Sequence, residues 1–218
     1  MRFLAFALLS GLAGALHAAP AEDIDRAALA RELAEVHRLD PARLLPALEQ
    51  AEYKQAIIDA ITRPAEAKPW KAYRPIFLTE KRISEGRAFL AEHAEALARV
   101  EQDTGVPAAL IVAILGVETS YGKITGSWRV IDALYTLGVH YPPRQSFFRS
   151  ELGHLFALVG EEQLDPLALK GSYAGAMGWG QFMPSSYRAY ARDGDGDGRR
   201  DLFGSLPDVF ASVANYFV

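Results

Sequence analysis

Glu118 closes an apolar run, ALIVAILGVETSYGK (109–123), that offers no polar face over Ala109–Val117. Such a run predicts a helix at the centre of a core, with Glu118 at its C-terminal end, beside the negative pole of the helix dipole. Burial and that pole both disfavour a carboxylate, so the pKa of Glu118 is expected to rise. A carboxylic acid that stays protonated near neutral pH is a general acid for glycosidic cleavage. The competing reading is a glutamate that only surfaces at a helix end or pairs with a cation.

Two further stretches carry candidate chemistry. GSYAGAMGWGQFMPSSY (171–187) brings backbone close to something through its glycines, while Ser172, Gln181 and Ser185 offer neutral hydrogen-bonding groups. Its spacing does not match a phosphate-binding loop, and a tight turn packing a helix remains open. In DGDGDGRRDLFGSLPD (193–208), Asp193, Asp195 and Asp197 fall at calcium-loop positions one, three and five, and Gly198 at the sharp turn. Arg199 would contribute its backbone carbonyl. Gly204 stands where a closing glutamate belongs, and Asp208 supplies that carboxylate if the loop is elongated. A solvated Asp/Gly turn is the alternative.

Aromatic residues after Glu118, Phe147 and Tyr187 among them, suit a groove that packs on the C–H faces of sugar rings. His37, His93, His140 and His154 lack metal-pair spacing and read as surface or packing residues. There is no Gly-x-Ser-x-Gly elbow.

The elements that must hold these residues read as helices. DIDRAALARELAEVHR (23–38) has helical spacing, Asp40-Pro41 opens a second helix continued by Ile57, Ile58 and Ile61, and 63–76 is expected to be an extended proline-rich connector. One long helix is expected from Thr79 to about Gln102, closed by Gly105. The next runs from Pro107 to Glu118, followed by helices at 129–138, 146–160, 184–192 and from 208 to the last residue. Strand signals are weak, so the class is mainly α. The final DVFASVANYFV reads as a helix cut short, which suggests a chain incomplete at its C-terminus.

The 218 residues are half hydrophobic, enough for a sizeable core, and the net charge of −4 with no basic block argues against a nucleic-acid partner. The first 18 residues read as a signal peptide: Arg2, an apolar stretch from Phe3 to Leu16, and cleavage after Ala18 or Ala19. Without cysteine there is no disulfide, thiolate site or lipidated cysteine. A mature protein in the periplasm, with neither a transmembrane nor a lipid anchor, is the expectation.

GVPAALIVAILGVETSYG, VIDALYTLGVHYPPR, LKGSYAGAMGWGQFMPSSY and DGDGDG…ASVANYF follow one another in a single order. Taken together they resemble the membrane-bound lytic murein transglycosylase B family, glycoside hydrolase family 103, from about Trp70 to the C-terminus. The resemblance implies a mainly α, lysozyme-like fold of the goose type. It implies a signal peptide at 1–18, an N-terminal helical region and connector at 19–78, and an incomplete lytic transglycosylase domain with an elongated EF-hand-type loop at 79–218. Its implied activity is cleavage of the β-1,4 bond between N-acetylmuramic acid and N-acetylglucosamine in peptidoglycan, leaving a 1,6-anhydromuramoyl end. Glu118 would be the single catalytic residue. Tyr73, Arg144, Phe147, Ser172, Gln181 and Tyr187 would bind glycan. Asp193, Asp195, Asp197, Arg199 and Asp208 would hold a structural Ca2+, with no organic cofactor. Cell-wall synthesis or remodelling proteins are implied partners. Two features depart from the family pattern: Pro143-Arg144 replaces a basic pair, and Phe147 stands where a tyrosine is common. The family also continues beyond the last residue. A lysozyme-type muramidase and a non-catalytic peptidoglycan-binding protein are the competing functions.

Overall fold

The computed structural model describes residues 24–63 and 69–218. The expected signal peptide and part of the connector, 64–68, lie outside the described residues. The described residues form eleven α-helices, a 3-10 helix at Pro142–Arg144 and one two-stranded sheet, in agreement with the mainly α class.

α1 (Arg26–His37) starts where the Asp25 carboxylate accepts the N–H groups of Ala27 and Ala28, and α2 (Pro41–Glu49) where Asp40 accepts that of Ala42. The cap at Asp40 is the expected one, and Asp25 caps α1 in the same way. The expected continuation of α2 is interrupted, and α3 (Gln55–Ile61) begins anew. The cause is tertiary: the N–H groups of Glu52 and Lys54 donate to Asp132 Oδ1 (2.8 Å) and Thr136 Oγ1 (3.0 Å) instead of to a preceding helical turn.

Residues expected to be extended form α4 (Trp70–Phe77). Pro69 presents its carbonyl to the N–H groups of Ala72 and Tyr73, and Pro75 sits late enough to forfeit one bond in the last turn. The single helix expected over 79–102 is two, α5 (Glu80–Glu92) and α6 (Ala94–Thr104), broken at His93. His93 packs its ring against Phe89 and Phe210 at 4.4 and 5.8 Å between centroids. Gly105, at φ 72°, ends α6 as expected.

α7 (Ala108–Thr119) carries Glu118, but it is not the central helix. It buries Ile111, Val112, Leu115, Gly116 and Thr119, while Leu110, Ala113, Val117 and Glu118 face solvent. The central place belongs to α8 (Val130–His140), buried from Val130 to Gly138 and packed along α9 (Gln145–Glu162). Between α7 and α8 runs β1 (Trp128–Arg129), antiparallel to β2 (Lys170–Gly171), with Trp128 opposite Gly171. α10 (Pro184–Tyr190) and α11 (Leu206–Asn215) complete the fold; α11 stops at Asn215, short of the expected end. One apolar core joins α1–α3 to the later helices. Among the described residues no single helix is long and apolar enough to cross a membrane.

Candidate active site

Glu118 stands one residue before the end of α7, where the chain turns sharply. Ser120, Tyr121 and Gly122 have φ of 52°, 61° and 77° in succession. The N–H of Tyr121 reaches back to Leu115 O (3.0 Å), and that of Ile124 to Thr119 O (2.9 Å). Left-handed φ at two successive non-glycine residues, Ser120 and Tyr121, is costly, and residues of this kind gather at functional sites.

The carboxyl of Glu118 reaches solvent, as a group that meets a substrate must. Enough protein nonetheless surrounds it that desolvation raises its pKa above the ordinary 4.5. It makes no hydrogen bond or ion pair among the described residues, which removes the cation-paired alternative. The buried carboxylates are engaged elsewhere. Asp132 is forked by Arg129, Glu151 accepts both the N–H and the Oγ of Ser185, and Glu162 pairs with Arg200. Glu118 differs from every one of them in having no such partner.

The glycine-rich stretch packs against the loop that follows Glu118. Thr119 Oγ1 donates to Trp179 O (2.9 Å), and the Trp179 ring lies where a side chain on Gly122 would have to go. Gly126 lies so close to Gly171 and Ser172 that no Cβ fits between them. Gln181, itself at φ 51°, donates through Nε2 to Thr125 O (3.1 Å) and Gly178 O (2.9 Å), leaving Oε1 to accept. Ser172 Oγ accepts from the N–H groups of Ala174 (3.3 Å) and Ala176 (3.0 Å), so its proton is free to donate outward. Two neutral groups, one a donor and one an acceptor, are thus fixed on the segment beside the acid.

The other expected glycan residues are placed differently. The Arg144 guanidinium lies over Phe147 at 4.3 Å, and both are exposed at the start of α9. Tyr73 sits between Trp70 and Phe77 on α4, at 6.3 and 5.0 Å between ring centroids. Tyr187 does not line a groove. It is 1% exposed, its hydroxyl donates to Arg200 O and accepts from the N–H of Leu202, and burial pushes its pKa up. Its ring supports the acidic loop from within.

In that loop, carboxylate oxygens of Asp193, Asp195 and Asp197 lie within 4.8 Å of one another, all exposed. Asp193 accepts the N–H groups of Gly196 (2.6 Å) and Gly198 (2.8 Å), and these bonds hold its pKa down. An all-oxygen set of this kind fits a hard cation. Arg199 donates its N–H to Asp197 Oδ1 (2.8 Å) and is exposed. Asp208 is not part of the gathered trio. It is 1% exposed, and its two oxygens accept the N–H groups of Gly194 (2.7 Å) and Asp201 (2.6 Å), tying the loop's two ends together. Gly204 replaces a closing glutamate because Asp201 folds back over it, accepting its N–H at 2.9 Å.

Sequence reasoning passed over Arg82, which binds Ser120, and the ion pair Lys123–Glu85 (2.9 Å) beside the same turn. The Ser-Tyr-Gly directly after the helix was the available signal, since a glycine there marks a left-handed cap.

The transglycosylase SLT domain family model matches residues 22–218, across both the N-terminal helices and the site. The chain belongs to this family. The curated membrane-bound lytic murein transglycosylase B of Escherichia coli (strain K12) is 42% identical over 191 residues, which are 83% of this chain and 53% of that protein. Soluble lytic transglycosylase SltB1 from Pseudomonas aeruginosa superposes with a TM-score of 0.83 at 52% identity, over 89% of this chain and 66% of that one. Escherichia coli lytic transglycosylase Slt35, in complex with calcium, gives 0.80 at 40% identity, over 89% and 62%. The chain thus spans about half the length of its curated relative, and its lysozyme-like, mainly α fold is that of these structures.

Proposed function

We propose that this member of the SLT family is a peptidoglycan lytic transglycosylase in which Glu118 acts first as acid and then as base. The observation that carries the reading is the unpaired Glu118, its pKa raised by desolvation, at the turn packed against a segment with neutral hydrogen-bonding groups, while the buried carboxylates among the described residues are all hydrogen-bonded.

Protonated Glu118 donates to the oxygen leaving C1 of N-acetylmuramic acid, and the β-1,4 bond to N-acetylglucosamine breaks. The substrate's own acetamido carbonyl stabilises the cation developing at C1. The carboxylate then takes the proton of the C6 hydroxyl as that oxygen bonds to C1, which closes the 1,6-anhydro ring and restores the acid. An intramolecular hydroxyl replaces an activated water, so one carboxyl group suffices. Ser172 Oγ–H and Gln181 Oε1 hold the sugar's amide and hydroxyl groups. Tyr73, Arg144 and Phe147 extend the glycan contacts away from the acid. Residues 79–218 form the lysozyme-like unit, with the helices of 24–78 bracing it.

Asp193, Asp195, Asp197 and the Arg199 carbonyl hold Ca2+ in the EF-hand-type loop, as the calcium-bound relative suggests. The ion's contribution is structural, relieving repulsion among three carboxylates. Asp208, whose oxygens accept the N–H groups of Gly194 and Asp201, would close the site with its remaining lone pairs. An exported, periplasmic protein acting on peptidoglycan strands follows from the signal-like N-terminus. Wild type and Glu118→Gln, incubated with purified peptidoglycan, test the reading: wild type releases soluble muropeptides, and the variant sediments with the glycan but releases none. Binding by wild type without release would make the chain a glycan-binding protein instead.

A further inference from the structure

The turn that ends α7 is gripped by a single residue of α5. The Tyr121 hydroxyl donates to the backbone carbonyl of Arg82 at 2.8 Å, and Arg82 Nη2 donates to Ser120 Oγ at 3.0 Å. Residue 82 therefore holds both non-glycine members of the left-handed run, one through its backbone and the other through its side chain. Two glycines make room for the grip. A Cβ on Gly86 of α5 would collide with the Tyr121 hydroxyl, and one on Gly116 of α7 would lie 2.6 Å from it. The Tyr121 ring stacks on Phe89 at 5.5 Å, wedged between the two helices. The guanidinium also lies 5.5 Å from the Phe77 ring on α4, and its Nη1 is buried without a hydrogen-bond partner.

Left to itself, a chain of L-residues would keep Ser120 in the right-handed region and let α7 run on, because the left-handed region is disfavoured for residues with a Cβ. Continuing the helix would swing the following loop away from Trp179 and change what surrounds Glu118, two residues upstream. We infer that Arg82 and Tyr121 are positioning residues for Glu118: they force the left-handed turn that ends α7 and so set the acid's aim and hydration. This rests on the reading of Glu118 as the catalytic acid. An unpaired buried guanidinium nitrogen is a poor choice for stability alone, which agrees with a role in placing the turn.

Tyr121→Phe and Ser120→Ala each delete one of the two bonds to Arg82 without changing charge, so they are the variants to make. The expected result is a kcat lower by roughly tenfold to a hundredfold with KM within about twofold, as displacement of a catalytic group produces. Circular dichroism should show the variants fully folded at the assay temperature. Arg82→Met combined with Ser120→Ala should be no worse than the poorer single variant, because both remove the same contact. A carbon-13 titration of the Glu118 carboxyl gives a readout independent of turnover. Its pKa should fall towards the ordinary value in Tyr121→Phe as water gains access. Wild-type kcat and an unmoved Glu118 titration in folded variants would overturn the inference, as would losses that track the unfolded fraction. If wild type itself releases no muropeptide while the titration still moves in Tyr121→Phe, the function falls and the positioning role stands.

Discussion

Two glycine-to-alanine substitutions, chemically identical, should move stability in opposite directions. In α9 Gly160 is exposed, and a Cβ added there meets nothing within 4 Å. Alanine gains about 1 kcal/mol of helix propensity at such a site, which for a chain of this size raises Tm by about 2–4 °C. At Gly116 the same gain is available, but the new Cβ would lie 2.6, 2.8 and 2.9 Å from Oη, Cζ and Cε1 of Tyr121. Ordinary contact begins at 3.4 Å, so the rigid ring must retreat by 0.8 Å (3.4 less 2.6). A displacement of that size is enough to take the 2.8 Å bond to the Arg82 carbonyl out of hydrogen-bond range. The lost bond costs about 1 kcal/mol and overpacking about 1–3 kcal/mol. Set against the propensity gain, Gly116→Ala is destabilised by about 1–3 kcal/mol, a fall in Tm of about 2–12 °C. Thermal unfolding of the two variants beside wild type decides the matter. Gly116→Ala stabilised to the same degree as Gly160→Ala would refute the argument that Tyr121 is wedged between α5 and α7.

Three further outcomes follow from the charges. The folded pKa of Glu118 is raised, so stability tied to it is present below the ordinary 4.5 and lost as pH rises through the folded value. Glu118→Gln should therefore melt higher than wild type at neutral pH, with the gap closing in acid; a variant that melts lower at neutral pH contradicts this. His37 and His154 meet at 4.6 Å between rings, and burial lowers both pKa values, with Arg188 adding to the shift while Glu151 and Glu161 oppose it. Stability should then be lost as pH falls from the ordinary 6.5 through the folded values, and melting curves in His154→Gln should show a shallower dependence. If Asp193, Asp195 and Asp197 hold calcium, an ion concentration of about 100 times Kd adds about 2.7 kcal/mol, or about 5–11 °C in Tm. Chelator should reverse that rise, and Asp195→Asn should reduce it. An unchanged Tm in millimolar calcium would rule the site out.

Legibility in the sequence followed locality. The helix starts at Asp40 and Thr79 and the stop at Gly105 depend on neighbours in the chain, and they stand where the residues place them. The break at 50–54 does not, because it depends on Asp132 and Thr136, some 80 residues away in the chain. An all-apolar α7 looked central, yet its Leu110 and Val117 are 39% and 45% exposed, since periodicity says nothing about a helix without a polar face. Glu118 was legible from residue type and position. Tyr187 was misread because an aromatic residue's composition does not reveal whether its hydroxyl is spent internally, here on Arg200. Arg82 was invisible for the same reason as the break: its partner Ser120 is 38 residues away.

The central claim is that one carboxyl group suffices because the substrate's own hydroxyl attacks C1. Digestion of peptidoglycan in heavy-oxygen water, followed by mass spectrometry of the released muropeptides, tests it most directly. The account predicts muramoyl ends one water lighter than a reducing end, carrying no heavy oxygen, and absent with Glu118→Gln. Reducing ends labelled at C1 would mean that water attacks, a hydrolase at work, and the single-residue mechanism would be wrong.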